Sequence, residues 1–190
     1  MDTREKLIRT AEKLMLREGY SAMRVDDVIR DAGLSKGSFY HFFDSKESLG
    51  LAALEHYYGD RVARLAAGAY ATETDPLKRA DGFLKHASKV ASDLWKEGCL
   101  LANLSAEAVG SSRVISEALR KRTSELHALL VELLRPYATR ELTAADLADH
   151  FLVCVEGSIV LARIYDDPGY LKRGLKQFRR FLGKAGGSGT

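Results

Sequence analysis

Long hydrophobic runs, cysteine and proline are all scarce in this chain of 190 residues. No stretch reaches the roughly 18 uninterrupted apolar residues that a membrane-spanning helix needs, because even residues 151–165 are interrupted by Glu156 and Arg163. The two cysteines, Cys99 and Cys154, are too few and too far apart for a zinc cluster or a disulfide framework. No basic and apolar leader opens the sequence, so we expect a protein of the reducing cytoplasm.

The motifs of common enzyme and cofactor sites are also missing. The sequence contains no nucleophile elbow, phosphate loop or dinucleotide fingerprint, so we expect no catalytic residues, no enzymatic activity and no cofactor. The five histidines are not paired at i, i+4 and have no cysteine at ligand spacing, which predicts that there is no metal site.

Helical periodicity of apolar residues is present along almost the whole chain. The first stripe is Leu7, Ala11, Leu14 and Met15, and the last is Leu171, Leu175, Phe178 and Leu182. The pattern predicts an all-α fold of about nine helices in which the first three form a small bundle. Helix starts are expected at Asp2, at Asp44 with Glu47, and at Thr143 with Asp146. We place domains at residues 1–46 and 47–185, followed by a glycine-rich, disordered tail at 186–190.

The most informative segment is 25–46. A helix over residues 25–32, a turn at Gly33 and a second helix capped by Ser35 form the helix-turn-helix arrangement. Its exposed side is expected to present Lys36, Ser38, Tyr40 and His41, while Gly37 permits close approach of the backbone to a ligand. Two of the three phenylalanines at 39, 42 and 43 are expected to pack inward. Lys46 lies in the first turn of the next helix, where the helix dipole disfavours a cation, which indicates an external anion.

At these residues the sequence resembles the TetR family of bacterial transcriptional regulators. The similarity rests on AGLSKGSFYHFFDSKESL (residues 32–49) and on the preceding 30 residues. The resemblance implies an all-α homodimer that binds a palindromic operator in double-stranded DNA. It also implies that the C-terminal helices form a ligand-binding and dimerisation domain. The positions that face DNA in the family pattern are here Ser35, Lys36, Gly37, Ser38, Tyr40, His41 and Lys46.

The resemblance also assigns roles to these positions. Tyr40, His41 and Lys46 are expected to hold phosphates, while Lys36, Gly37 and Ser38 lie nearest the base edges. Where many members carry Thr near the start of the second helix, this chain has Met23 and Arg24, so Arg24 is the candidate for that phosphate contact.

Charge does not decide between partners. Residues 1–60 hold nine Lys or Arg and eleven Asp or Glu, a net charge of −2, which argues against non-specific DNA coating but not against specific docking. A ligand-responsive repressor is therefore our main hypothesis, and a non-enzymatic helical adaptor is the alternative. The basic residues of the last helix are interpreted as a solvated face rather than a second DNA contact. They are Lys172, Arg173, Lys176, Arg179, Arg180 and Lys184.

A second informative segment begins at Gly98. The glycine is expected to interrupt the fifth helix and to place Cys99 in the first turn of the sixth, where the dipole lowers the pKa of a thiol. The segment is similar to a TetR subgroup with Gly-Cys at this point, in some members of which the cysteine senses oxidants or electrophiles. Trp95, Asn103 and Arg163 are further candidates for sensing a small-molecule or electrophile effector. A small residue packed at a helix junction is the structural alternative for Cys99.

Overall fold

In the computed structural model, the described residues are 2–94, 98–109 and 112–185, and they contain nine α-helices and two short 3₁₀ turns without any strand. This agrees with the all-α prediction. The helices are α1 Thr3–Glu18, α2 Val25–Asp31, α3 Lys36–Phe42, α4 Lys46–Ala66, α5 Pro76–Leu94, α6 Leu100–Ala108, α7 Arg113–Leu134, α8 Ala144–Ile164 and α9 Gly169–Ala185. None of the helices in this part of the chain combines the length and apolar character that crossing a membrane requires.

The chain divides into two compact units. The first comprises residues 1–61 and 99–122, and the second comprises 62–98 and 123–190. Helices α4 and α7 therefore contribute residues to both units. The compact units do not follow the functional division that we expected after residue 46, which stays a prediction, and the expected disordered tail lies outside the described residues.

The first unit is built around the apolar stripe of α1. Leu7, Ala11 and Met15 are completely buried, and α2, α3 and α6 pack against this helix. Phe39 of α3 enters the same core. Burying side chains of this size is favourable by about 1.5–3 kcal/mol each, so the position of α3 on the bundle is fixed by its inward face.

The second unit is built around α8 and α9, with α5 packed against α9. The predicted stripe of α9 is buried from Leu171 to Leu182. Small residues of α8 at positions 148, 158 and 162 are buried inside this unit. Gly174 lies so close to Ser158 that a Cβ atom would overlap with its hydroxyl, which shows how closely α8 and α9 approach.

Helix caps confirm two expected starts and correct one. The hydroxyl of Thr143 accepts a hydrogen bond from the backbone N–H of Asp146, and Asp146 reciprocates at the backbone of Thr143. Asp2 accepts from the N–H of Glu5 in the same way. At α4, however, Ser45 rather than Asp44 caps the helix, because its Oγ accepts from the N–H of Ser48 at 3.0 Å.

Candidate nucleic-acid interface

The turn between α2 and α3 is short and tightly hydrogen-bonded. Gly33 has a φ of 62°, a left-handed conformation that glycine adopts without steric cost. The N–H of Leu34 donates to the carbonyl of Ile29 at 3.0 Å, which reverses the chain immediately after α2. Ser35 then caps α3 by accepting from the N–H of Ser38 at 3.1 Å. The predicted helix-turn-helix is therefore present, with α3 as its second helix.

Helix α3 has one buried and one exposed face. Phe39 and, just beyond the helix, Phe43 are buried, whereas Phe42 is 39% exposed, so the prediction that two of the three rings pack inward is confirmed. The centres of the Phe39 and Tyr40 rings lie 5.1 Å apart in an edge-to-face arrangement, so the buried Phe39 supports the exposed Tyr40 ring. Burial of one face leaves the opposite face available for a partner.

The exposed face carries most of the residues that the sequence singled out. Tyr40 is 62% exposed, and Lys36, Gly37 and His41 are exposed beside it. A Cβ atom built on Gly37 would meet only the Ser35 hydroxyl, at an ordinary contact distance of 3.8 Å. The polar groups of α3 thus lie together on one accessible surface, which we call the α3 face: residues 35–38, 40 and 41. Whether they touch DNA stays a prediction.

Arg24 precedes the first residue of α2. Its backbone is the N-cap of α2, its side chain makes no capping hydrogen bond, and the residue is exposed. The preceding Met23, by contrast, is buried. The departure from the family pattern therefore places an exposed guanidinium at the first turn of α2.

Lys46 is less exposed to solvent than the sequence predicts for a residue that binds an external anion. It is the first residue of α4, as predicted, but it is only half-exposed. Its Nζ donates to the carbonyl oxygen of Ser21 at 3.0 Å and lies 4.8 Å from the centre of the Tyr20 ring. Burial lowers the pKa of Lys46, and the negative charge of Glu107 acts in the opposite direction. These contacts join residues far apart in sequence, so helical spacing gives no signal of them.

The candidate sensing residues are only partly described. Cys99 is the N-cap of α6 rather than a residue of its first turn, and its side chain is 7% exposed. Its side chain makes no capping bond; instead, the hydroxyl of Tyr57 accepts from the N–H of Leu100 at 3.2 Å. Asn103 is half-buried on α6. Trp95 lies outside the described residues.

Arg163 is the remaining sensing candidate. It is exposed on α8, and its guanidinium lies against Gly98, where a Cβ atom would be 2.7 Å from Nη1. Gly98 has a φ of 79°, so both its conformation and this close approach favour glycine.

Apolar side chains of α8 form a second exposed surface. Val153 is 70% and Ile164 67% exposed, with Val160 and Leu161 between them. Gly157 lies on the same stretch, and no atom would contact a Cβ built there. We call these five residues the α8 face. Contiguous exposed apolar surface of this kind usually marks a protein interface.

The second unit also contains a cavity of about 450 Å³ between α5 and α9. At its edge the Tyr137 hydroxyl donates to Asp81 at 2.7 Å, and burial together with this carboxylate raises the pKa of Tyr137 to about 12. Lys176, Arg179 and Arg180 line this cavity, so part of the basic side of α9 borders it. The described basic residues of α9 are exposed, as the interpretation of a solvated face requires.

Comparison with protein families matches two segments of the chain. Residues 7–53 match the model of bacterial regulatory proteins of the tetR family. Residues 76–177, more than half of the chain, match the C-terminal domain of LmrA/YxaF-like transcriptional regulators. The first match contains the whole α3 face, and the second contains the α8 face.

Individual relatives agree with these matches. The transcriptional repressor NemR of Escherichia coli K12 is 34% identical over 142 residues, which cover 70% of this chain and 67% of NemR. The regulator LmrA of Bacillus subtilis is 29% identical over 168 residues, 85% of this chain and 86% of LmrA. Among solved structures, the reduced form of E. coli NemR superimposes with a TM-score of 0.81 at 28% identity, covering 95% of this chain and 96% of the other.

Proposed function

The chain belongs to the TetR family of bacterial regulatory proteins, and on that premise we propose that it is a repressor whose α3 face binds a palindromic operator. The observation that carries the proposal is the arrangement of α3, in which buried phenylalanines fix the helix while lysine, tyrosine, histidine and glycine lie together on its exposed side. Residues of this kind bind phosphate oxygens and base edges in the major groove.

The roles of individual residues follow from their positions. Tyr40, His41, Lys46 and Arg24 are assigned to phosphates, which set the position of the protein on the duplex. Lys36, Gly37 and Ser38 are assigned to base edges, with Ser35 holding the start of α3. A lysine that donates to guanine O6 or N7 would give the site part of its sequence preference.

The repressor acts as a homodimer through the α8 face. Two α3 helices must lie about 34–36 Å apart to enter successive major grooves, which requires two copies related by a two-fold axis. Pairing of α8 with its symmetry mate would remove Val153, Val160 and Ile164 from water. The exposed Gly157 lets the two helices approach closely.

An effector releases the repressor by population shift. A ligand that binds better to a conformation with a different spacing of the α3 helices lowers operator affinity by that difference in binding free energy. The effector is a small molecule or an electrophile, with Cys99, Asn103 and Arg163 as the sensing candidates. The protein acts by binding rather than by catalysing a reaction, and it does so in the cytoplasm, where bacterial DNA lies.

An electrophoretic mobility shift assay tests the proposal. The wild-type protein should select one palindromic sequence from a pool of randomised duplexes, and it should bind that duplex much more tightly than a scrambled one. Specific affinities exceed non-specific ones by at least about 10³-fold in such proteins. Equal affinity for the selected and scrambled duplexes would contradict the proposal.

A further inference from the structure

The turn between α1 and α2 is held by a side chain from α6. The backbone N–H of Ser21 donates to Oε2 of Glu107 at 2.7 Å, across 86 positions of sequence. The same carboxylate lies against Gly19, where any Cβ atom would overlap with it. Gly19 also has a φ of 89°, a backbone conformation that favours glycine.

Lys46 binds the same turn through the carbonyl of Ser21. Its Nζ donates to the carbonyl of Ser21, whose N–H is bound by Glu107, so one residue of the turn joins the two side chains. The Tyr20 ring, 4.8 Å away, covers the ammonium group. The Glu107 charge favours the protonated form of Lys46 and opposes the effect of burial on its pKa. In the absence of DNA, the ammonium group of Lys46 therefore already interacts with the Ser21 carbonyl, the Tyr20 ring and the charge of Glu107.

We propose that Glu107 is a positioning residue that competes with a DNA phosphate for Lys46. The inference rests on the proposed function, since it takes Lys46 as a phosphate ligand, and it adds a part of the chain that no DNA-binding motif includes. A carboxylate beside the ammonium group attracts it and repels an incoming phosphate. A movement of the end of α6 towards the turn would strengthen this hold and weaken DNA binding, whereas a movement away would release Lys46.

Two substitutions separate the charge of Glu107 from its hydrogen bond. Glu107→Gln keeps an oxygen that can accept from Ser21 but removes the charge. It should tighten binding of the selected duplex by about two- to fivefold, the range of exposed ion pairs. It should also steepen the dependence of affinity on salt, by up to about 0.9 in the logarithmic slope. Glu107→Asp keeps the charge but shortens the side chain, so its affinity should stay closer to that of the wild type.

The matched control is Glu117→Gln, which makes the same change in net charge. Glu117 is exposed on α7 and pairs with Arg113 of its own helix. Fluorescence anisotropy with the labelled duplex over a series of salt concentrations measures all variants, and thermal unfolding checks that each is folded. The gain in duplex affinity from Glu107→Gln should exceed the gain from Glu117→Gln. It should disappear when Lys46 is also replaced by Ala.

Each outcome distinguishes this inference from the proposed function. If the wild-type protein selects no duplex, the proposed function itself fails. If the wild type binds and Lys46→Ala weakens binding, but Glu107→Gln gains no more than Glu117→Gln, the competition is overturned and DNA binding stands. A gain that persists in the Lys46→Ala background also overturns the competition. A loss of duplex affinity in both Glu107→Gln and Glu107→Asp would also overturn the competition.

Discussion

The ammonium nitrogen of Lys36 lies 2.9 Å from Oδ1 of Asp26, so an ion pair joins the first turn of α3 to the first turn of α2. Both side chains are highly exposed, and pairs of this kind contribute only about 0–1 kcal/mol to stability. The hydrogen bond from Lys36 to Asp26 nevertheless raises the pKa of the lysine, which keeps it charged. Lys36 is thus paired with an exposed carboxylate of α2, and we expect a DNA phosphate or base to be able to replace this partner.

Replacement of Lys36 by Ala should change which sequence is preferred rather than only how tightly DNA is bound. Loss of a base-edge contact costs about 1–3 kcal/mol at one position of the operator and relaxes the preference there. Repeating the selection from randomised duplexes with the variant measures this directly. Lys85→Ala, at an exposed lysine of α5, is the control. An unchanged selected sequence would remove Lys36 from the base-reading residues.

Tyr40→Phe should weaken binding by a similar factor for every sequence, because a phosphate contact carries no sequence information. The ring stays against Phe39, so folding should be unaffected. Affinities for the selected and scrambled duplexes should fall together by a few fold. A loss confined to the selected duplex would instead place the Tyr40 hydroxyl at a base.

Gly37→Ala tests how closely the backbone of α3 approaches DNA. Within the chain a methyl group at this position has room, and alanine favours a helix over glycine by about 0.5–1 kcal/mol. The variant should therefore be at least as stable as the wild type in thermal unfolding. We expect it to lose about tenfold or more in operator affinity, because the methyl group would occupy space that DNA needs. Gly59→Ala on α4, where a Cβ would meet no atom, is the matched control.

Local sequence signals predicted the helices and the inward side of α3, and they failed for contacts between distant segments. The caps at Ser35 and Thr143 could be predicted because each capping bond joins residues only three positions apart. Asp44 and Ser45 are both good caps, so spacing could not choose between them. The bonds from Ser21 to Glu107 and from Leu100 to Tyr57 span 86 and 43 positions, and only the packed fold brings these groups together.

A charge on the α8 face should separate the two subunits. Val153→Glu places a carboxylate where we expect a dry interface, and burying an unpaired charge is strongly unfavourable. Analytical ultracentrifugation should show a dimer for the wild type and a monomer for the variant at the same concentration. Leu77→Glu, at an exposed leucine of α5, should remain dimeric. A dimeric Val153→Glu protein would contradict the assignment of this face.

Alkylation distinguishes a reactive Cys99 from a structural one. Burial raises the pKa of Cys154, so little of its thiolate is present at neutral pH. If the N-cap position stabilises the thiolate of Cys99, iodoacetamide should modify Cys99 first despite its low exposure. Mass spectrometry over a time course gives both rates, and Cys99→Ser should keep operator binding while losing any release by electrophiles. If Cys99 is alkylated no faster than Cys154, the electrophile hypothesis fails and a non-covalent effector remains.

The capping box of α8 predicts a specific dependence of stability on pH. Hydrogen bonds from the hydroxyl and the backbone N–H of Thr143 lower the pKa of Asp146 below its usual value of 3.8. Because the folded-state pKa is the lower one, the ionised Asp146 stabilises the fold above the unfolded pKa. This stabilisation is lost as the pH falls through the folded-state pKa of Asp146. Removing the hydroxyl in Thr143→Ala should cost about 1 kcal/mol in the free energy of unfolding at neutral pH.

The difference in unfolding free energy between wild type and Thr143→Ala should therefore be constant between about pH 5 and 7. It should shrink below about pH 4, where Asp146 takes up a proton first in the unfolded chain and, at lower pH, in the folded protein. Urea unfolding at fixed protein concentration measures it at each pH. Thr143→Ser retains the hydroxyl that accepts from the N–H of Asp146, so it should follow the wild type throughout. A difference that stays unchanged down to pH 3 would show that the hydroxyl stabilises α8 without the charge of Asp146.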